Sequence, residues 1–280
     1  MLTGLALAFY LLATVCYTAG IFLRAAASPA IFPISTTHSI THFGRPLVLA
    51  GIALQFAAIG VWCVTTHRTP FASNFGTLSL TAWAMAMAFL ILDWRINLPA
   101  VGVVTLPAAC VALFLGILKS RAPLVESPLL TGQLVSMHVL AVLFSFGLLT
   151  VAAICSALYM VQNRQLRRHH VRGMLRRLPP LETLDRTAYQ AVAFALPLLT
   201  LGILLGFTRV FGDGLAHSPV EWLRDPHVLT SLAAWLLYVF YLGSRLAAGW
   251  RGVRVQYILL VGFVVLLAIY FVPTTTHRFE

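Results

Sequence analysis

The sequence predicts an all-α fold: a polytopic membrane protein of eight transmembrane helices with both termini on the outer side. Three observations predict it. Hydrophobic residues make up 60% of the 280 and charged residues only 10%, with a mean hydropathy of +0.89; soluble domains carry about a quarter charged residues. Eight apolar segments recur along the chain, each near the roughly 20 residues that cross a bilayer core. Lys and Arg fall unevenly on alternate connections, as the positive-inside rule requires.

The first segment, about residues 2–24, has no small-residue cleavage site followed by a soluble domain. It is therefore predicted as a retained span rather than a signal peptide. Spans follow at about 46–66, 75–93 and 99–118, the last containing Pro107. The fifth, 132–160, is longer than the hydrocarbon thickness at about 1.5 Å per residue, so one end should protrude. Its outer end carries Gln133, Ser136 and His138, and Gly147, Ala152, Ala153 and Ser156 along it suit close helix contact. The sixth, 188–207, is introduced by "PPLETLDR", where prolines precede Glu182 and Asp185 as at a helix start. Pro197 within it, like Pro107, is expected to bend its helix. Spans at 228–248 and 255–272 complete the set. No repeat and no Gly/Ser or Pro linker divides the chain, so 1–280 reads as a single integral membrane domain.

The formal charge of +11 is concentrated in "NRQLRRHHVRGMLRRLPPLETLDR", residues 163–186, with seven arginines. If that connection is cytoplasmic, the inner connections at 25–45, 94–98, 161–187 and 249–254, with their span edges, hold 13 of the 19 Lys and Arg. The loop lacks the interleaved aromatics or recognition fold of a nucleic-acid surface. Its charge fits topology and anionic-lipid contact instead, with no nucleic-acid partner. This orientation puts His67, His138, His217, His227 and His277 outside, and His38, His42, His169 and His170 inside.

Several chemistries are poorly supported. Cys16, Cys63, Cys110 and Cys155 fall in four different spans and form no C-x-x-C pair, which argues against a dithiol carrier or a haem-attachment motif. "HSITH", residues 38–42, is an i, i+4 histidine pair in a predicted inner loop without a third ligand or a base. His169 and His170 lie among arginines that repel cations. A transporter would place more polar groups at mid-membrane than Gln55 and the prolines. His138 and His277 differ, since each lies near the outer end of a different span. Imidazoles from separate helices are axial ligands for haem iron; each could equally sit in the wet interface, bonded to backbone or water. Between them the outer loop "FTRVFGDGLAHSPVEWLRDPHV", residues 207–228, is longer than joining two helices requires.

Three strings carry a family resemblance: "MHVLAVLFSFGLLTVAAICSALYMV", "LPPLETLDRTAYQAVAFALPLLTLGILLGF" and "RDPHVLTSLAAWLLYVFYLGSRLAAGWRG". With "HRTPFASNFGTLSLTAW", residues 67–83, they resemble the cytochrome c assembly (CcsA/HemX/YpjD-like) family of haem-handling membrane proteins over about residues 60–278. The resemblance implies that His138 and His277 are the two histidines that hold the haem iron. It also implies that haem lies against an outer loop ending in a Trp-Asp-Pro-type motif, represented here by Trp222 and Asp225–Pro226. Phe207 and Phe211 would extend that wall, and Arg209, Arg224 and Arg278 would meet the propionates. Trp222 reads equally as an interfacial anchor, and Arg224 as a local ion pair with Asp225.

The chain departs from the family's larger members. The histidine expected in the seventh span is replaced around Leu242–Gly243–Ser244, and the second span has Gln55 and no histidine. That places it nearer the short, HemX/YpjD-like branch. The resemblance thus implies a multi-pass protein of the bacterial inner membrane that binds haem transiently and hands it over at the periplasmic face. Apocytochrome c and a second assembly subunit are the expected partners, with delivery rather than catalysis by this chain alone. A second reading, also from the family, is a regulatory membrane protein that binds no haem. It would act on tetrapyrrole synthesis through the 163–186 loop, with an inner partner such as glutamyl-tRNA reductase.

Overall fold

The computed structural model describes residues 1–26, 34–67, 69–120, 133–168, 179–212 and 225–269. Every regular element among them is helical. The helices are α1 (Leu2–Ala26), α2 (Ile34–Thr66), α3 (Asn74–Ile96), α4 (Pro99–Lys119), α5 (Gln133–Arg167), α6 (Leu181–Gly212), α7 (Pro226–Leu246) and α8 (Val253–Ala268), with a 3-10 turn at Pro70–Ala72. Seven are long and apolar enough to cross a membrane. The 16 residues of α8 span about 24 Å at 1.5 Å per residue, short of a core of about 30 Å.

Three elements outrun their apolar segments, among them α6 at Leu181–Gly212 against 188–207. α2 begins at Ile34 rather than near residue 46, so the backbone of "HSITH" is helical and not a loop. α5 continues to Arg167, seven residues past the expected end. Hydrophobicity marks where a helix meets lipid, not where its hydrogen bonding stops. The Gln and Arg side chains at the end of α5 propagate a helix nearly as readily as leucine does. α6 starts at Leu181, directly after Pro179–Pro180, with Glu182 in its first turn.

Side chains are distributed for lipid. Large apolar residues such as Phe22, Phe56, Val64, Phe194 and Leu236 face outward, whereas Gln55, Ser79, Asp93, Ser145, Ser156 and Gln256 are buried. Hydrocarbon cannot hydrogen-bond, so polar groups turn inward to find partners. α5 is the central helix; it packs most extensively on α6 and also touches α3, α4 and α8. Gly147 makes one of these contacts possible, since a Cβ there would lie 2.6 Å from the Ala84 carbonyl oxygen of α3. Ala152, Ala153 and Ser156 are buried along the same helix, as the small-residue pattern predicts. Among the cysteines, Cys110 and Cys155 are buried, Cys16 and Cys63 are half-buried, and none is bonded to another.

Interhelical polar contacts fix the register. In α2, Gln55 accepts from the Tyr10 hydroxyl of α1 at 2.6 Å and donates to the Ser79 carbonyl of α3 at 2.7 Å. Such bonds in bilayers contribute about 0.6 kcal/mol each on average. Gln55 is therefore a satisfied joint between three helices.

Candidate functional site

Successive helices alternate in direction, so the bundle has two unlike ends. At one end, where α1, α3, α5 and α7 finish, two part-buried ion pairs form. Arg45 donates to Asp93 Oδ2 at 2.8 Å, to the Asp93 carbonyl at 2.9 Å and to Asn97 Oδ1 at 3.0 Å. Tyr17 adds a 3.2 Å bond to Asp93. Across the bundle, Arg245 grips Asp185 with two nitrogens at 2.6 and 2.8 Å. Gln256 donates to Asp185 Oδ1 at 2.6 Å and accepts from Ser156 at 2.6 Å. The Arg245 guanidinium also lies 5.0 Å from the centre of the Tyr189 ring. This network joins α5, α6, α7 and α8. Asp185 is legible in the sequence as a helix-start acid, but its partner lies 60 residues on.

The opposite end holds the histidine. His138 sits in the second turn of α5, half-buried against α6. Its Nδ1 donates to the Gly202 carbonyl at 2.6 Å. A carbonyl oxygen only accepts, so Nδ1 carries the proton of the neutral ring and the lone pair falls on Nε2. That is the arrangement by which proteins orient a metal-ligating imidazole. Gly206, one turn on, makes room for the ring: a Cβ there would stand 2.9 Å from His138 Cε1. On the other flank of α5, a small apolar cluster of Ile59, Phe71, Leu80, Ala84 and Leu143, with Cys63 and Val139 beside it, holds the helix against α2, α3 and the 3-10 turn. The segment "HRTPFASNFGTLSLTAW" supplies Phe71, Leu80 and the Ser73 cap of α3, whose hydroxyl accepts from Gly76 N at 3.0 Å.

Asp225, in the loop that carries the Trp-Asp-Pro-type motif, is buried at 3% exposure. It caps α7, accepting from the His227 backbone N at 2.8 Å, with Pro226 at the first helical position. Its observed contact is thus that of a helix cap. The cap places His227 at the same end of the bundle as His138. Sequence reading places His227 outside but gives it no role. The signal that could have found it is its position directly after Asp225–Pro226. Phe207 is 40% exposed on α6, one residue past Gly206. Trp222, Arg224, His277 and Arg278 lie outside the described residues, as do the side chains of Arg209 and Phe211.

For chemistry, the described part of this end offers a tautomer-fixed imidazole, a second histidine at the start of α7 and a buried carboxylate used as a cap. Among the described residues no group of three or more His, Cys, Asp and Glu could hold a metal ion. The donor set suits an iron whose other ligands come with a prosthetic group. A haem, when bound, would supply iron redox chemistry and a reactive porphyrin edge. Among the described residues, His138 could serve it as a ligand through Nε2.

Known proteins bear on what this end is for. Over 244 residues the chain is 26% identical to the cytochrome c biogenesis protein CcsA of Guillardia theta, covering 80% of this chain and 79% of the relative. It is 28% identical over 272 residues to CcsA of Parasynechococcus marenigrum (strain WH8102), covering 87% of each. It is 28% identical over 236 residues to protein HemX of Brevibacillus brevis, covering 82% of this chain and 84% of that one. Residues 72–277 match the model of the family described as Cytochrome C assembly protein. That range runs from the 3-10 turn through α8 and includes His138, Gly202, Gly206, Asp225 and His227, so the chain belongs to the cytochrome c assembly protein family.

Proposed function

We propose that this protein binds haem at the His138 end and presents it there for cytochrome c assembly. The observation that carries the reading is the 2.6 Å bond from His138 Nδ1 to the Gly202 carbonyl. That bond spends Nδ1 and leaves the lone pair of Nε2. The ring is held by another helix in a tautomer that suits ligation through Nε2, within the range that matches the family model.

The remaining topology belongs to the same proposal. All eight helices cross the bilayer, the His138 end faces the periplasm, and both termini lie there in a bacterial inner membrane. The placement of 13 of 19 Lys and Arg toward the other end supports this orientation. His277, the sequence candidate for the second ligand, follows α8 on the same side, and Trp222 and Arg224 precede Asp225 there. The handover takes apocytochrome c as acceptor, with a second assembly subunit completing the work. The chain is one integral membrane unit over 1–280.

Haem added to the detergent-solubilised full-length protein tests this. Wild type is expected to give a Soret band shifted from that of free haem. His138→Ala should lose the shifted band and recover it with millimolar imidazole, because the bonded partner, a backbone carbonyl, survives the substitution. An unchanged spectrum in His138→Ala would sink the reading.

The 28% identity to HemX favours one alternative, a regulator that acts through the basic loop at 163–186. It expects a cytoplasmic protein to co-purify with the wild type and to be lost when that loop is scrambled, with haem uptake absent throughout.

A further inference from the structure

We propose that the turn between α7 and α8 binds an anionic phospholipid, whose phosphate is held by Arg251 and Arg254 and one of whose acyl chains lies along α8. The inference concerns the arginine end of the bundle and does not rest on the haem reading. The stretch "LAAGWRGVR", residues 246–254, ends α7 and starts α8. Gly249 and Gly252 take φ of +63° and +85°, the left-handed region that glycine enters without a Cβ clash. The chain reverses there. Trp250 N donates to the Ser244 carbonyl at 3.1 Å, and its indole meets the Phe240 ring edge-on, 6.1 Å between centres. Leu246, Phe240 and Trp250 are all exposed, so the turn is pinned to the outward face of α7. A tryptophan there sits where interfacial aromatics anchor spans.

α5 overhangs this turn. Ser156 of α5 donates to Gln256 Oε1 at 2.6 Å, and a Cβ on Gly252 would lie 3.9 Å from the Tyr159 hydroxyl, so α8 starts against α5 at that level. From Ser156, α5 continues for 11 residues to Arg167, whereas α8 begins at Val253, three residues before Gln256. The difference of eight residues carries the end of α5 about 12 Å beyond the start of α8. Asn163 and Arg167 follow Ser156 by seven and 11 residues, the spacing of one helix face. The face of α5 that meets α8 thus continues past the turn and places Arg167 over it.

The charges of this corner differ in what they have to do. Arg245, at the end of α7, is spent on Asp185. Arg167, Arg251 and Arg254 are exposed, and none of the three forms an ion pair among the described residues. Toward the middle of α8, Tyr257, Val261 and Val264 follow Arg254 by three, seven and ten residues, on one side of the helix. All three are exposed, while Val255, Gln256 and Leu259 are buried on the other side. Arg254 therefore heads an outward apolar stripe. Guanidinium groups bind phosphate by charge-assisted bonds, and basic pockets between spans take lipid head groups. A free phosphate would use the cations alone. Cations directly above an apolar stripe complement a molecule that carries both a phosphate and a hydrocarbon chain.

Binding of fluorescently labelled phosphatidylglycerol and phosphatidylcholine to the full-length protein in a neutral detergent tests this. Wild type should prefer phosphatidylglycerol. Arg251→Gln should weaken that lipid about fivefold, and Arg251→Gln combined with Arg254→Gln about 30-fold, the scale set by each arginine near an anionic head group. Phosphatidylcholine binding should not change. Both side chains are exposed, so the variants should elute as wild type does on size exclusion. Arg95→Gln removes an exposed cation of α3 at the same end and should leave the preference intact. An undiminished preference in the double variant overturns the site, and so does an equal loss in Arg95→Gln, which would mark a diffuse surface field. Inorganic phosphate that displaces the probe as effectively as unlabelled phosphatidylglycerol overturns the lipid as occupant.

Discussion

The two ends of the bundle use the same raw material, polar side chains entering an apolar interior, in opposite ways. At the arginine end two carboxylates have met guanidiniums: Asp93 with Arg45 and Asp185 with Arg245. These groups are held by their partners and serve as clamps between helices. At the histidine end the bond to Gly202 uses only Nδ1 of His138, leaving the lone pair of Nε2 for other chemistry. The difference teaches that burial of a polar group does not by itself mark function. What marks it is whether the partner consumes the reactive atom or aims it.

Breaking a clamp should cost the most. Arg245→Met leaves Asp185 in its half-buried position with Gln256 alone, and loss of one partner of a buried pair destabilises by about 3–5 kcal/mol. Thermal unfolding in detergent should show this, and Asp185→Asn added to Arg245→Met should recover part of the loss. A smaller effect on stability with a larger one on binding is expected at the other end. Gly206→Ala puts a methyl 2.9 Å from the His138 ring. Overpacking of that kind costs about 1–3 kcal/mol, while the displaced imidazole should lower haem affinity by about 10–100-fold. If Gly206→Ala left haem titration unchanged, the aimed-imidazole half of the contrast would fail.

The smallest effect should come from Gln55→Leu. It removes the bonds to Tyr10 and Ser79 at a cost of about 1 kcal/mol, seen as a slight loss of thermal stability with the haem spectrum untouched. A large spectral change there would show that the middle of the bundle, and not only its histidine end, takes part in binding.

How much of this is legible in the sequence depends on the length scale of the cause. The spans are legible because each apolar segment answers to lipid along its own length; Leu2–Ala26 and Pro99–Lys119 begin and end within two residues of expectation. The start of α6 after Pro179–Pro180 is legible for the same local reason. The extension of α2 to Ile34 is not, because polar residues carry no lipid signal yet continue the helix. His138 stands out in the sequence as one ionisable group in an apolar run. Its tautomer does not, since that depends on a carbonyl 64 residues away.

By itself, then, the chain's pattern of apolar runs, prolines and arginines determined an all-helical membrane protein and singled out the end at which an imidazole waits. Only the tertiary structure decided that Asp185 belongs to Arg245, that Gly206 is the space for a ring, and that the Gly202 carbonyl holds His138. The physical reason is range. Transfer to lipid acts residue by residue along the chain, whereas a hydrogen bond or a ligand pair exists only once distant helices have been packed to within about 3 Å of one another.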